Sequence, residues 1–290
     1  MIRHYASAAA NLPLDNDALR AAAPSIFARE AHESRSERFA PIATIDVVEG
    51  MRKAGFEPFK ALQCRTRDES RKDFTKHIIR FRSRATKQYI AGVTPEVVLV
   101  NANDGSSAYK LMGGMFRFIC SNGMIIQNCR IDETKVRHSG NAVDEVIEGS
   151  FRVISTVEEQ QDRVIEWSGL QLPAPARLAF AESARMIRLG DAEGEVDSPI
   201  KAEAFLVPRR SEDRASDLWT TFNVIQENAI RGGLSAREEP TKDERGIVRR
   251  GRMRTTREIG GIDQDVKVNR ALWSLGEKMA SILSSQARAA

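Results

Sequence analysis

EVVLVNANDGSSAYKLMGGMFRFICSNGMIIQ, residues 96–127, is the most apolar part of the chain and the richest in turn glycines. Val97, Val98, Leu99 and Val100 form a β-branched and aliphatic run, the composition of a strand buried on both faces. Asn103-Asp104-Gly105 tolerates positive φ and turns the chain back as a hairpin, with Ser106 to Lys110 as the returning strand. Two readings stay open beyond Gly113-Gly114. Leu111, Met115, Phe118 and Ile119 fall at helical spacing, with Asn122-Gly123 as a C-cap before a new strand from Met124 to Gln127. The competing reading is an unbroken strand through Phe118. Both place the segment in the core.

Upstream, Phe59 to Arg67 and Lys76 to Arg84 alternate apolar and polar residues. Leu62, Cys64 and Thr66 oppose Gln63, Arg65 and Arg67, and Ile79 and Phe81 oppose Arg80, Arg82 and Arg84. A period of two sends these sets to opposite faces. The expected pair of strands has one apolar face and one face carrying five arginines, joined by a mobile charged loop from Asp68 to Thr75. A short helix is expected from Thr44, acting as N-cap, to Gly55. Residues 1–40 read as a weakly ordered arm. Residues 41–140 form the antiparallel sheet core, and 141–290 form a helical part.

In that last part the pattern changes to helical. Val143, Ile147, Ser150, Ile154, Val157, Gln161 and Val164 predict one helix reaching Trp167, with Gly149 as a weak point. A second is expected over Ala176–Leu189, burying Leu178, Ala181, Met186 and Leu189. A third spans Asp213–Arg231 and stops at Gly232-Gly233. A last runs from about Asp263 to Ser285. Residues 235–258 have few apolar residues and no period, so a flexible basic loop is expected there. The fold class is α+β, an antiparallel β-meander or hairpin sheet packed against several long helices.

The 290 residues carry 44 Lys and Arg against 40 Asp and Glu, a formal charge of +4, so the distribution of charge matters more than its sum. No apolar run approaches the roughly 18–20 residues of a membrane span. The N-terminus lacks a continuous apolar signal region. Cys64, Cys120 and Cys129 have no CxxC spacing, which points to a reducing, cytoplasmic setting without disulfides. His4, His32, His77 and His138 are scattered, so no metal site is expected. No GxxxxGK[ST], dinucleotide fingerprint or GxSxG is present, and no cofactor is expected.

The remaining signal is basic. Arg65, Arg67, Arg80, Arg82 and Arg84, with Lys87 nearby, make one candidate surface. Arg249, Arg250, Arg252 and Arg254, in the acid-free stretch RGIVRRGRMRTTR, make a second. Guanidinium groups donate bidentately to phosphate, and few aromatics sit among them, so tracking of the backbone is expected over base readout. The same arginines have a plainer use as a solvated face that protects sheet edges.

The segments VNANDGSSAYKLMGGMFRFICSNGMII, LWTTFNVIQENAIRGGL and GIDQDVKVNRALWSLGEKMA resemble the phage/plasmid-like protein family known as domain of unknown function 932, over roughly residues 40–285 as a pattern match. The resemblance implies a phage, prophage or plasmid origin and a cytoplasmic protein. It implies no activity and no catalytic residues. The expected layout, a sheet with one arginine-rich face on long helices, is also that of phage single-strand annealing proteins. The function expected from these lines is binding and annealing of single-stranded DNA, without sequence specificity, by a homo-oligomer. The alternatives are a non-enzymatic inhibitor or scaffold for a host protein and, third, a metal-dependent nuclease, which needs clustered carboxylates.

Overall fold

The computed structural model describes residues 12–36, 39, 41–85, 92–107, 109–117, 122–125, 134–135, 142–190, 195–242 and 247–289. Two compact units divide between Asp162 and Arg163. The first contains the sheet together with the helix that follows it.

In the first unit, α1 (Asn16–Ala22) begins where the Asp15 side chain accepts from the backbone N–H of Ala18. A 3-10 turn (Pro24–Phe27) follows, then α2 (Thr44–Lys53). The strands are β1 (Phe56–Gln63), β2 (His77–Ser83), β3 (Val93–Asn101), β4 (Lys110–Arg117), β5 (Asn122–Ile125) and β6 (Thr134–Lys135), with α3 (Ala142–Glu159) behind them. The sheet is antiparallel in the order β1-β2-β3-β4-β5, and β6 pairs with β4. β3 is its centre and is buried along its whole length, as the aliphatic run predicts.

α3 packs on β3 and β4, while α2 packs on α3 and β1. Gly50 permits the close crossing of α2 and α3, since a Cβ there would stand 2.8 Å from Val143 Cγ1. The turn at Asn103-Asp104-Gly105 is present, with Gly105 at φ 76°. The returning strand is β4, which starts at Lys110, four residues later than expected, and continues through Arg117. The helical reading of Leu111 and Met115 is therefore wrong. Phe118 and Ile119 lie outside the described residues.

Residues 12–36, expected as a loose arm, are docked. Leu14, Leu19, Ala23 and Ile26 are buried, and the Leu14 amide donates to the carbonyl of Pro58 at 2.7 Å. Thr44 does not cap α2. The cap position is Ala43, and the Thr44 hydroxyl is part of a buried polar chain. Ser25 Oγ meets His77 Nδ1 at 2.8 Å, His77 Nε2 meets Thr44 Oγ1 at 3.0 Å, and Asn101 Nδ2 donates to Thr44 Oγ1 at 2.9 Å. All four residues are fully buried. The chain ties the N-terminal turn and α2 to the ends of β2 and β3. A Ser–His contact with no solvent access is structural, since a nucleophile must be reachable.

In the second unit, α4 (Gln161–Gly169), which begins at its boundary, is followed by α5 (Ala174–Leu189), α6 (Leu218–Arg231) and α7 (Ile262–Ala289). The long helix expected to reach Trp167 is thus two, broken at Gln160, and Gly149 sits within α3 without interrupting it. α5 turns a different side inward than expected. Phe180, Ala181 and Ala184 are buried, while Leu178 and Met186 are exposed.

α6 is buried over Leu218–Ala229, polar residues included. Asp217 caps it, accepting from the amide of Thr220 at 2.8 Å. Glu227 is gripped by Arg210 at 2.6 Å and lies 3.1 Å from Arg231. Asn228 donates to the carbonyls of Phe205 and Val207, and Gln226 donates to Asn269 on α7. Trp167, Trp219, Phe222 and Trp273 form an aromatic core, with Trp167 and Trp273 centroids 4.8 Å apart. Gly276 on α7 makes room for it. A Cβ there would lie 2.5 Å from Trp167 Cη2. No helix among the described residues is long and apolar enough to cross a membrane.

Two outcomes follow from this packing. Gly276→Ala will lower stability by about 1–3 kcal/mol through overpacking, read as a lower urea midpoint. The second concerns pH. Burial holds His77 down to about 4 from its ordinary 6.5. Above 6.5 neither the folded nor the unfolded chain protonates it, so its full contribution is present. As pH falls from 6.5 toward 4 the unfolded chain alone takes up the proton, and about 3 kcal/mol of stability is lost. Urea midpoints at pH 7, 5.5 and 4.5 will show this decline, and His77→Gln will remove its share of the slope.

Candidate nucleic-acid interface

The five arginines expected on one sheet face separate into three environments. Arg80 and Arg82 lie on β2 and do share a face, as the alternation requires, but they are buried, at 4% and 8% exposure. Their partner is Glu96 on β3, itself fully buried. Arg80 Nη1 donates to Glu96 Oε2 at 2.9 Å, and Arg82 Nε donates to Oε1 at 3.0 Å. Arg82 is sandwiched by Phe59 at 4.2 Å and Phe116 at 4.0 Å. Arg80 also donates to the carbonyl of Met124 at 3.2 Å.

The glycines beneath Arg80 explain part of the sequence that looked like turn signals. A Cβ on Gly123 would stand 2.6 Å from Arg80 Cζ, and one on Gly114 would stand 3.2 Å from Nη1. Gly114 and Gly123 pave a track along which the guanidinium crosses the neighbouring strands. This face is an internal ion cluster. A phosphate chain has no access to Arg80 or Arg82, which corrects their assignment as contact residues.

Arg84 follows the end of β2 and is exposed, but Glu57 holds it, with Nε to Oε1 at 3.0 Å. Arg65 and Arg67 are exposed and make no ion pair among the described residues. They follow Gln63, at the far end of the β1–β2 ladder, since Phe56 pairs with Ser83 and Gln63 with His77. Seven strand steps at roughly 3.3 Å separate the two ends of the ladder by about 23 Å, with Arg84 beyond one end and Arg65 and Arg67 beyond the other. Asp68 to Thr75, expected as a mobile loop, contains a 3-10 helix at Glu69–Phe74. Lys87 lies outside the described residues.

The second basic stretch has more structure than expected. β7 (Ser235–Arg237) pairs with β10 (Met253–Thr255), and β8 (Thr241–Lys242) pairs with β9 (Val248–Arg249). The two ladders are nested, and the amide of Glu238 donates to the carbonyl of Arg252 between them. Residues 235–242 and 247–255 therefore form a two-stranded antiparallel arm, in place of the expected flexible loop. Its root is tied down where Gly232, at φ 65°, ends α6. There the Gly233 amide donates to Thr256, and the Thr256 amide donates to Leu234.

The sequence hides this arm because neither side is covered. Arg249, Arg250, Arg252 and Arg254 are all exposed, so no apolar period marks the strands. Arg254 pairs with Glu238, which holds that carboxyl below its usual range, while Arg250 and Arg252 make no ion pair among the described residues. Ile247, Val248 and Met253 on the arm are also exposed. Among the described residues, no three His, Cys, Asp or Glu side chains group to hold a metal ion.

Against known proteins, the family pattern described as Domain of unknown function (DUF932) matches residues 31–273. The UPF0380 proteins YfjQ and YafZ of Escherichia coli (strain K12) are each 39% identical over 271 residues, covering 93% of this chain and 93% of each relative. No solved structure matches the chain.

The Glu96 cluster sets a measurable expectation. Glu96→Gln leaves two buried guanidiniums without their anion and will cost about 3–5 kcal/mol. Urea unfolding of the variant against the parent chain measures that loss.

Proposed function

Since the chain belongs to the family described as domain of unknown function 932, whose name carries no activity, we propose, from the exposed basic arm alone, that it binds nucleic acid by the phosphate backbone. The target is single-stranded DNA, held without sequence specificity. One observation carries this reading. Arg249, Arg250, Arg252 and Arg254 stand exposed on a rooted two-stranded ribbon, and Arg250 and Arg252 make no direct ion pair among the described residues. A short ribbon projects guanidiniums to both sides, and backbone tracking needs closely spaced donors rather than a pocket.

Arg65 and Arg67 supply a further exposed basic site in the first unit. Arg80 and Arg82 have no part in the proposal. Annealing by a homo-oligomer extends it, and light scattering with and without an oligonucleotide reads that state.

A second reading rests on the same arm. Ile247, Val248 and Met253 are each more than half exposed, and exposed apolar residues on a ribbon also suit docking to a protein, the scaffold or inhibitor role.

The discriminating experiment is a salt titration of binding to a fluorescent single-stranded oligonucleotide, beside a duplex of the same sequence. Affinity for the single strand is expected to fall steeply with salt. In Arg250→Ser/Arg252→Ser the slope of log K against log salt is expected to shrink by about 1.4, at roughly 0.7 per lost phosphate contact. Stability is expected to change little, because both positions are exposed. No binding at low salt, or binding indifferent to both salt and the substitutions, overturns the proposal. A complex recovered from nuclease-treated host lysate then supports the scaffold role.

A further inference from the structure

α6 is buried along most of its length, and two of its buried polar atoms, Thr221 Oγ1 and Asn223 Oδ1, find no hydrogen-bond partner among the described residues; of the two residues, Thr221 opens onto a cavity. Thr221 is 2% exposed and its Oγ1 has no hydrogen-bond partner. It lines a cavity of about 190 Å³ in the second unit, together with Arg177 of α5, Leu206, Pro208, Asp213, Arg214, Ala215 and Val224. The Nε of Arg177 is also shielded from solvent and has no hydrogen-bond partner among the described residues. An unpaired buried donor is costly, and two of them facing one cavity is the arrangement expected of a binding site.

The charge around the cavity is positive. Asp213 is neutralised by Arg210, whose Nη1 lies 2.6 Å from Asp213 Oδ2. Arg210 is in turn shared with Glu227, which also faces Arg231. Arg177 and Arg214 thus add two guanidiniums to a site whose lining acid, Asp213, is held by Arg210 through Oδ2, while its buried Oδ1 adds one acceptor to the lining. Leu206, Pro208, Ala215 and Val224 supply apolar walls.

We propose that this cavity binds a small organic acid, a carboxylate on a short aliphatic body. The carboxylate takes Arg177 Nε and the guanidinium of Arg214, the geometry in which arginine recognises a planar anion. The Thr221 hydroxyl donates to the same group, and the aliphatic body lies on Leu206, Pro208 and Val224. Phosphate fits less well. Its additional oxygens would face apolar walls that carry no donors, leaving them unsatisfied. The volume equals that of roughly six liquid waters, which matches a ligand the size of butyrate. This site is independent of the basic arm and of any nucleic acid.

The test titrates the full chain with butyrate, with butanol and with inorganic phosphate, by calorimetry and by thermal unfolding. Butyrate is expected to bind saturably at one site and raise Tm, with butanol and phosphate weaker by about tenfold or more, the difference a charge-assisted hydrogen bond makes. Arg177→Met is expected to weaken butyrate by a similar factor.

Thr221→Val keeps the side-chain shape, so it serves where Arg177→Met does not fold. It is expected to raise Tm of the ligand-free chain, because it removes an unpaired buried hydroxyl, and to lower butyrate affinity about threefold or more. A purely structural threonine would not move the two readouts in opposite directions. Butyrate that binds no better than butanol, or equal butyrate affinity in Thr221→Val and the parent chain, overturns the assignment.

Discussion

Glu96 is the constraint on which the sheet unit depends. It sits on the central strand at zero exposure and accepts from two arginines of the neighbouring strand. Burying a carboxylate is unfavourable unless it is paired and hydrogen-bonded, and burying a guanidinium carries the same condition. Each of the three groups is tolerable only because the others are present. The second guanidinium also needs surroundings that accept a cation, and Phe59 and Phe116 provide two aromatic faces. The paths of these side chains require Gly114 and Gly123 to lack a Cβ. A polar cluster of this kind also limits register, because a slip of one residue would turn every member to the other face.

The helical unit repeats the device with different parts. Glu227, 2% exposed on α6, faces Arg210 and Arg231, and Asp213 shares Arg210. Both units thus hold a buried carboxylate between guanidiniums. Part of the arginine that makes the chain look basic, Arg80 and Arg82 above all, is internal. The positive surface is smaller than composition implies, and its most concentrated described portion is the arm from 235 to 255. The root of the arm is fixed by backbone hydrogen bonds of Gly233 and Thr256 just past the end of α6.

Local pattern read well wherever burial was one-sided or complete. The aliphatic run at Val97–Val100, the turn at Gly105, the pairing of β1 with β2, and the stop of α6 at Gly232 all follow from residue type and spacing. The misreadings share a cause. Leu111 and Met115 match a helix by spacing, yet β4 is buried on both faces, where strand and helix patterns look alike. On α5, Phe180 with Ala181 and Ala184 faces inward while Leu178 and Met186 face out, a choice of side that the apolar spacing alone left open. Thr44 has the chemistry of a cap and is used instead in the His77 network.

The alternation of Arg80 and Arg82 with Ile79 and Phe81 placed the arginines correctly on one face. It carried no information about what would cover that face, because alternation reports which side a residue takes and not whether that side meets water. By itself the sequence determined the α+β class, the central strand, the hairpin turn and the positions of most helices, since these depend on propensity and period within a few residues. The tertiary structure alone decided which arginines are solvent-exposed, that residues 235–242 pair with 248–255 as a ribbon, and that Thr221 opens onto a cavity. Those outcomes depend on residues such as Arg80 and Glu96, which pair, or Arg177 and Thr221, which line one cavity, that lie far apart along the chain and come together only when it is packed.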